Sequence, residues 1–150
     1  MDASPRQRSL PANLARRVTY LAYRVAIAAG QKANAALAPL GIDTRHYAIL
    51  TALGTDTMPS QQTIAATLGI DRATVVALVD DLEQRSLVRR APSREDRRAN
   101  TIELTAAGRE ILARADHLMD GCEASFIATL PAREREQIAA ILYALFIKNA

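Results

Sequence analysis

The stretch SQQTIAATLGIDRATVVALVDDLEQRS, residues 60–86, decides the fold, and it continues into LVRRAPSREDRRANTIELT, residues 87–105. In the first part, apolar residues recur at helical spacing on both sides of Gly69. Ala65 is small enough for two helices to cross closely, Gly69 can take the positive φ of a sharp turn, and Asp71 can cap the second helix. This spacing predicts a helix-turn-helix that reads DNA.

The second part predicts a β-hairpin that forms a wing beside the helix-turn-helix. Residues 87–90 read as a short strand, a polar turn follows, and residues 100–104 return as the second strand. Residues 85–98 contain six arginines and only two carboxylates, a net charge of +4 in a chain whose total is +3. A local basic patch of this kind is the electrostatic footprint of a surface that meets phosphates.

Helices with broad apolar faces flank this central region. The pattern predicts one helix over residues 13–37, a second over 44–53, a third over 106–127 and a fourth that begins at Pro131. The inward-facing residues predicted for the first and last helices are Leu14, Val18, Leu21, Val25, Ala28, Ile138, Ile141, Leu142, Leu145 and Phe146. Because such helices need partners on more than one face, we expect helices from two chains to pack together in a homodimer.

The expected fold class is mainly α with a small β wing. We assign residues 39–106 to a winged helix-turn-helix region that binds DNA, and residues 11–38 and 107–150 to dimerisation helices. Residues 1–10 are expected to form a flexible tail. Hydrophobic residues make up 49% of the chain, which is ample for an aliphatic core.

Composition also limits location and chemistry. Cys122 is the one cysteine, so no disulfide can form within the chain, and a reducing compartment is expected. The chain shows neither a signal-peptide apolar region nor an apolar run of bilayer length, so we expect a cytoplasmic protein without a membrane partner. It also lacks a Gly-rich phosphate loop and a nucleophile paired with a histidine, which indicates no enzyme and no cofactor.

One cluster in the sequence has the residue types of a metal site. It consists of Asp116, His117, Asp120 and Cys122. On a helix, however, Cys122 lies about 140° around the axis from His117, so the two side chains do not converge. A solvated helix is favoured, and no metal is predicted.

Several motifs of the chain resemble the MarR family of bacterial transcription regulators. They are LGI at 40–42, YAIL at 47–50, LGIDRATV at 68–75, LVDDLE at 78–83, LVRR at 87–90, DRR at 96–98 and LTAAG at 104–108. The resemblance implies a homodimeric winged helix-turn-helix repressor or activator, with a repressor favoured, on a palindromic double-stranded operator. It also implies a recognition helix in the major groove, a wing at the minor groove, and release of DNA by a small aromatic effector.

The resemblance and the residue chemistry together indicate which side chains bind DNA. Arg72 suits a guanine or a phosphate, Thr74 a phosphate or base edge, and Val76 a thymine methyl. Arg98 matches the family arginine that enters the minor groove, with Asp96 as the carboxylate that orients it. The full predicted DNA-binding set is Ser60, Gln61, Arg72, Ala73, Thr74, Val76, Ala77, Arg94, Asp96, Arg97 and Arg98. The alternative is an ordinary solvated helix and a hairpin salt bridge.

The chain departs from the family pattern in its recognition helix. Related proteins often carry arginine where Ala77 and Asp81 stand, and glycine where Ser86 stands. The acidic residues Asp80 and Glu83 lead us to expect that the C-terminal half of this helix stays away from phosphates, so that the wing supplies most of the affinity.

An effector pocket is predicted from Tyr20, Tyr23, Arg24, His46 and Tyr47, whose hydroxyl and cationic groups lie on apolar seams. The alternative is that these side chains simply fill the core and the dimer interface. For the whole protein, the alternative function is a winged-helix module that binds another protein and does not read DNA. A basic wing favours DNA.

Overall fold

In the computed structural model, which describes residues 10–55, 60–92 and 100–149, the chain forms six α-helices, a short 3-10 helix (Ala38–Leu40) and a two-stranded sheet over those residues. The elements are α1 (Val18–Leu37), α2 (Thr44–Leu53), α3 (Gln61–Leu68), α4 (Arg72–Gln84), β1 (Val88–Pro92), β2 (Asn100–Leu104), α5 (Ala106–Ile127) and α6 (Ala132–Asn149). The predicted fold class, mainly α with a small β wing, is confirmed. Apart from Leu10, the predicted tail lies outside the described residues.

The first helix is shorter than predicted. It begins at Val18, because residues 11–17 form separate hydrogen-bonded turns and Arg17 has an extended backbone with φ −93° and ψ 101°. The predicted apolar stripe is also not buried within the chain, since Val18 is 69% exposed and only Ala33 and Leu37 of this helix are buried. The N-terminal half of α1 is therefore a free apolar face in the single chain.

The helix-turn-helix forms as its spacing predicts. The axes of α3 and α4 are bent by 117°, and Gly69 makes the turn with φ 63° and ψ 29°. The backbone N–H of Ile70 donates to the carbonyl of Ala65 at 3.1 Å, which closes the corner. No single helix among the described residues is long and apolar enough to span a bilayer.

One aliphatic core joins the end of α1 to α2–α5 and to both strands. Its buried residues are Leu37, Leu40, Ile42, Ile49, Leu50, Leu53, Ile64, Val75, Leu78, Val79, Leu82, Leu87, Val88, Ile102, Leu104 and Ala115. Helix α6 contributes no buried residue to the single chain. Helix α4 is thus held in place by the core on one face, whereas the terminal helices keep exposed apolar surface.

The junction between α4, β1 and α5 fixes the base of the wing. Ser86 has a φ of 58°, in the left-handed region where glycine would be unstrained. The Thr105 side chain accepts a hydrogen bond from the Gly108 backbone N–H at 2.9 Å, and its hydroxyl donates to the carbonyl of Ser86 at 2.7 Å. The cap of α5 is therefore tied directly to the residue that precedes the wing.

The hairpin pairs antiparallel in one register, from Val88 opposite Leu104 to Pro92 opposite Asn100. The second strand has the predicted bounds. The first begins one residue later than predicted and extends to Pro92, because its length is set by the partner strand rather than by its own apolar residues. This register places Arg90 opposite the buried Ile102 and Arg89 opposite Glu103.

Candidate nucleic-acid interface

The outward face of α4 is made of small residues and one cation. Arg72, Ala73 and Ala77 are exposed, whereas Val76, expected to be exposed, is half-buried. Core contacts of Val75, Leu78, Val79 and Leu82 hold the opposite face in place. Alanine side chains let another surface approach the helix backbone closely, and a methyl group can contact the methyl of thymine. This face has the shape of a recognition helix.

Polar side chains at the starts of α3 and α4, where DNA contacts were predicted, already form helix-capping hydrogen bonds. The Ser60 hydroxyl accepts from the Thr63 backbone N–H at 3.2 Å. Asp71 accepts from the Thr74 backbone N–H at 2.9 Å, and its carboxylate also accepts a hydrogen bond from the Thr74 hydroxyl. These two bonds from Thr74 lower the pKa of Asp71. The Thr74 hydroxyl can thus accept but no longer donate a further hydrogen bond.

Gln61, which begins α3, was also predicted to bind DNA. Its side-chain Nε2 is buried and has no hydrogen-bond partner among the described residues. The nitrogen is therefore turned into the protein. Contact of this side chain with DNA stays a prediction.

Two acidic residues of α4 share one cationic partner within the protein, which leaves the three side chains with a net charge of −1. The guanidinium of Arg90 bonds both Asp80 and Glu83, and the Arg90 backbone N–H donates to Glu83 Oε1 at 3.0 Å. The two carboxylates are therefore not free charges, and the expectation that the C-terminal half of α4 stays away from phosphates stays a prediction. A sequence count assigns a free charge to each residue and cannot detect this pairing.

Two further arginines of the basic segment are committed to contacts inside the chain. Arg85 donates to the carbonyls of Gly41 and Leu40 at 2.9 and 3.1 Å. Arg89 donates to Glu103 at 2.6 Å. Of the six arginines counted in residues 85–98, the three that the structure describes are therefore all bonded inside the chain. Four predicted wing residues, Arg94, Asp96, Arg97 and Arg98, lie outside the described residues.

A polar link that the sequence did not reveal joins the start of α2 to the recognition helix. His46 Nδ1 lies 2.7 Å from Asp43 Oδ1, and His46 Nε2 lies 3.2 Å from Asp81 Oδ2. The second contact is close enough for an ion pair but lies off the axis of a hydrogen bond. Asp81, one of the departures from the family pattern, also lies 3.5 Å from Arg85. The link holds α4 to the junction between α1 and α2.

The Asp43 carboxylate at this link has a strongly lowered pKa. Burial alone raises it, but bonds from the backbone and ring of His46 and from the Arg45 side chain outweigh burial and lower it to about 2. A lowered acid pKa stabilises the fold above the unfolded value near 4, and the effect is lost as pH falls through the folded value.

We expect Asp43→Asn to lower the free energy of unfolding by about 1 kcal/mol at pH 7, a figure reduced for solvent screening of the partly exposed group. The difference from wild type should shrink as pH falls from 4 toward 2, because the wild-type carboxylate is then protonated. Urea unfolding at pH 7, 5, 4 and 3 measures both effects. A difference that stays constant over this range contradicts the assignment.

The residues predicted to bind an effector make separate contacts in the structure. On α1, Arg24 Nη1 donates to the hydroxyl of Tyr20 at 3.1 Å, and Tyr23 is exposed. His46 belongs to the polar link. The hydroxyl of Tyr47 donates to Asp116 Oδ1 at 2.8 Å, and burial and this bond raise its pKa. Their convergence on one ligand stays a prediction.

A different group of residues forms an apolar cleft of about 330 Å³ between α1 and α5. Ala29, Gly30, Ala33, Thr44, Met119, Cys122, Glu123 and Phe126 line it. The small residues of α1 create the space, since Gly30 has no other atom within 4 Å of where a side chain would begin. None of the five predicted effector residues lines this cleft.

Comparison with known proteins identifies similar sequences for the region that contains the helix-turn-helix. The model of the MarR family matches residues 40–99. A Thauera aromatica protein named as a transcriptional regulatory protein for the hcr operon is 28% identical over 110 residues, 73% of this chain. The chain spans 66% of the length of that relative.

Solved structures extend the similarity to the terminal helices. CouR from Rhodococcus jostii RHA1, bound to p-coumaroyl-CoA, is 30% identical with a TM-score of 0.77, over 90% of this chain and 95% of that one. The transcriptional repressor CouR bound to a 23-mer DNA duplex is 28% identical with a TM-score of 0.82, over 93% and 99% of the two chains.

Proposed function

The chain belongs to the MarR family of transcription regulators, and from this membership we propose that it represses transcription as a cytoplasmic homodimer bound to a palindromic DNA operator. Each chain presents one recognition helix to a major groove and one wing to the neighbouring minor groove. We assign residues 39–106 to DNA binding and the helices on either side to dimerisation.

The observation that carries this proposal is the exposed face of α4. Arg72 stands at its start, Ala73 and Ala77 leave the backbone accessible, and the 117° bend against α3 turns this face outward from the core. CouR, whose chain is similar to this one, has been solved bound to a DNA duplex. In this proposal, α4 contributes modest sequence specificity, and arginines of the wing contribute most of the affinity.

The wing arginine Arg98 provides the sharpest test of this assignment. We expect Arg98→Ala to weaken binding to specific DNA about tenfold or more and to reduce the slope of log K against log salt by about 1. A guanidinium in a narrow minor groove meets enhanced negative potential, which a methyl group cannot use. A fluorescence titration against the DNA upstream of its own gene, at several salt concentrations, measures both quantities.

Arg89→Ala is the matched control, since Arg89 lies in the same hairpin but is bonded to Glu103. Its removal should change affinity less than about threefold, because an exposed pair contributes little. Equal losses from both variants would contradict a special role for Arg98.

We further propose that an aromatic acid or its thioester releases the DNA. The cleft between α1 and α5 is apolar and abuts the start of α2, and CouR has been solved with p-coumaroyl-CoA. The same titration, repeated with a panel of aromatic acids and their CoA thioesters, tests this. DNA binding that no compound weakens contradicts the effector proposal and leaves the DNA-binding proposal intact.

A protein-interaction module is the second candidate. Its support is that Arg85, Arg89 and Arg90 are all bonded within the chain, which leaves fewer free cations than the sequence suggests. Salt separates the two candidates. A steep loss of DNA affinity with salt favours the regulator, because contacts to phosphates release counterions, and a flat dependence favours the module.

A further inference from the structure

We propose that Arg90 is a positioning residue for DNA binding: it clamps the wing to the recognition helix and masks two carboxylates that would otherwise repel the DNA backbone. This inference rests on the proposed DNA-binding function. It assigns a role to an arginine whose two terminal nitrogens are both bonded to carboxylates of α4.

The clamp is built from three hydrogen bonds that join β1 to α4. One terminal nitrogen of Arg90 bonds Glu83 and the other bonds Asp80, while its backbone N–H donates to the second oxygen of Glu83. A guanidinium presents its donors in a rigid fork, so it can hold two carboxylates at once, which a lysine ammonium does less well. The Asp80 bond and the charge of Glu83 raise the pKa of Arg90, although partial burial opposes this.

The position of Arg90 in the hairpin explains why it faces inward. It pairs with the buried Ile102, so both side chains lie on the face of the hairpin that packs toward the core and α4. Its side chain is 29% exposed, whereas that of the preceding Arg89 is 68% exposed and lies on the opposite face with Glu103. Adjacent arginines therefore have different roles, because successive side chains of a strand alternate between faces.

Two consequences for DNA binding follow from this geometry. First, Asp80 and Glu83 lie on the helix that we assign to the major groove, and loss of Arg90 changes the net charge of this group from −1 to −2 close to phosphates. Second, the same bonds fix the position of β1, and with it the paired strand β2, relative to α4. Losing the clamp should weaken binding even though no contact to DNA is removed.

We expect Arg90→Ala to weaken specific DNA binding about tenfold or more at low salt, with the loss shrinking as salt rises from 0.05 to 0.3 M because the unmasked repulsion is screened. A role limited to general stability gives a loss that does not depend on salt in this way. Circular dichroism and thermal unfolding establish that the variant is folded. If it is not, Arg90→Lys keeps the charge without the fork and should show a smaller loss with the same trend.

The background Asp80→Asn with Glu83→Gln isolates the masking role. In that double variant, adding Arg90→Ala should cost less than about threefold in affinity, because no carboxylate is left to unmask. Arg89→Ala in the wild-type background is the control for loss of a wing arginine as such.

The outcomes separate this inference from the function on which it rests. Wild-type protein that shows no salt-dependent DNA binding overturns the regulator proposal, and this role of Arg90 with it. Wild-type protein that binds DNA, with Arg90→Ala binding equally well, overturns the clamp alone. A loss that is the same at every salt concentration and persists in the Asp80→Asn, Glu83→Gln background overturns the masking role.

Discussion

Gly108→Ala is expected to lower the free energy of unfolding by about 3 kcal/mol or more, the largest effect we predict for loss or gain of a single methyl group. A Cβ at this position would lie 1.9 Å from the carbonyl oxygen of Leu87 and 3.0 Å from its carbonyl carbon. Backbone atoms cannot rotate away as a flexible side chain can, so α5 must move off the start of β1. Urea or thermal unfolding of the two proteins measures the loss.

The clash lies at the base of the wing, so we expect a local effect there in addition to the loss of global stability. Gly108 N–H donates to the Thr105 side chain, whose hydroxyl bonds the carbonyl of Ser86. Displacing α5 therefore disturbs the cap of α5, the left-handed residue Ser86 and the base of the wing together. We expect hydrogen exchange in β1 and β2 to accelerate in Gly108→Ala beyond what the change in global stability alone explains.

Gly121→Ala is the matched control in the same helix. A Cβ built on Gly121 meets nothing within 4 Å, and the residue is exposed. Alanine has the higher helix propensity, so this change should stabilise the protein by up to about 1 kcal/mol. Opposite signs for the same chemical change test the packing argument directly, and two destabilised variants would contradict it.

The helix-turn-helix could be predicted in detail because its determinants are local. Gly69 takes the left-handed conformation, Ser60, Asp71 and Thr105 cap the helices they precede, and α5 has the predicted bounds. Each of these features depends on residues three or four positions apart, which is the distance over which caps, turns and helical faces act.

The partners of the arginines could not be predicted, because they depend on folding. Arg85 meets carbonyls of residues 40 and 41, and Arg90 meets carboxylates seven and ten positions earlier, across the turn into β1. No periodicity encodes these contacts. A charge count therefore predicted a basic patch, although several of its arginines are bonded inside the chain. Such a count does not identify which arginines are free to contact DNA.

The first helix shows a second limit of sequence patterns. Its apolar stripe was predicted to face inward, yet Val18, Tyr23, Val25 and Ile27 are exposed in the single chain. Hydrophobic spacing identifies a face and does not identify its partner. For the same reason the inward stripe predicted for α6 finds no core within its own chain.

Leu142→Glu in α6 is expected to raise the dissociation constant of the homodimer about 100-fold or more, because a carboxylate would enter an apolar contact without a partner. Leu142 is 53% exposed in the single chain, and Ile141, Tyr143, Leu145, Phe146 and Ile147 around it are exposed as well. A contiguous apolar surface of this kind marks an interaction site. The exposed half of α1 supplies a second such surface, and covering both is what we expect a second copy of the chain to do.

The substitution separates dimerisation from folding. Because α6 contributes no buried residue to the single chain, Leu142→Glu should leave the helix-turn-helix core intact, with unchanged helical content by circular dichroism. Analytical ultracentrifugation over micromolar concentrations should show a dimer for the wild type and a monomer for the variant. Gln137→Glu is the control, since it adds the same charge to the polar N-terminal half of α6 and should leave the dimer unchanged.

DNA binding links this test to the proposed function. Two recognition helices bind two half-sites with high affinity only when the dimer fixes their separation, so the monomeric variant should lose specific binding by about 100-fold or more. A shift to monomers without a loss of affinity would show that one chain suffices for DNA. A variant that remains dimeric would mean that α6 is not the dimer contact.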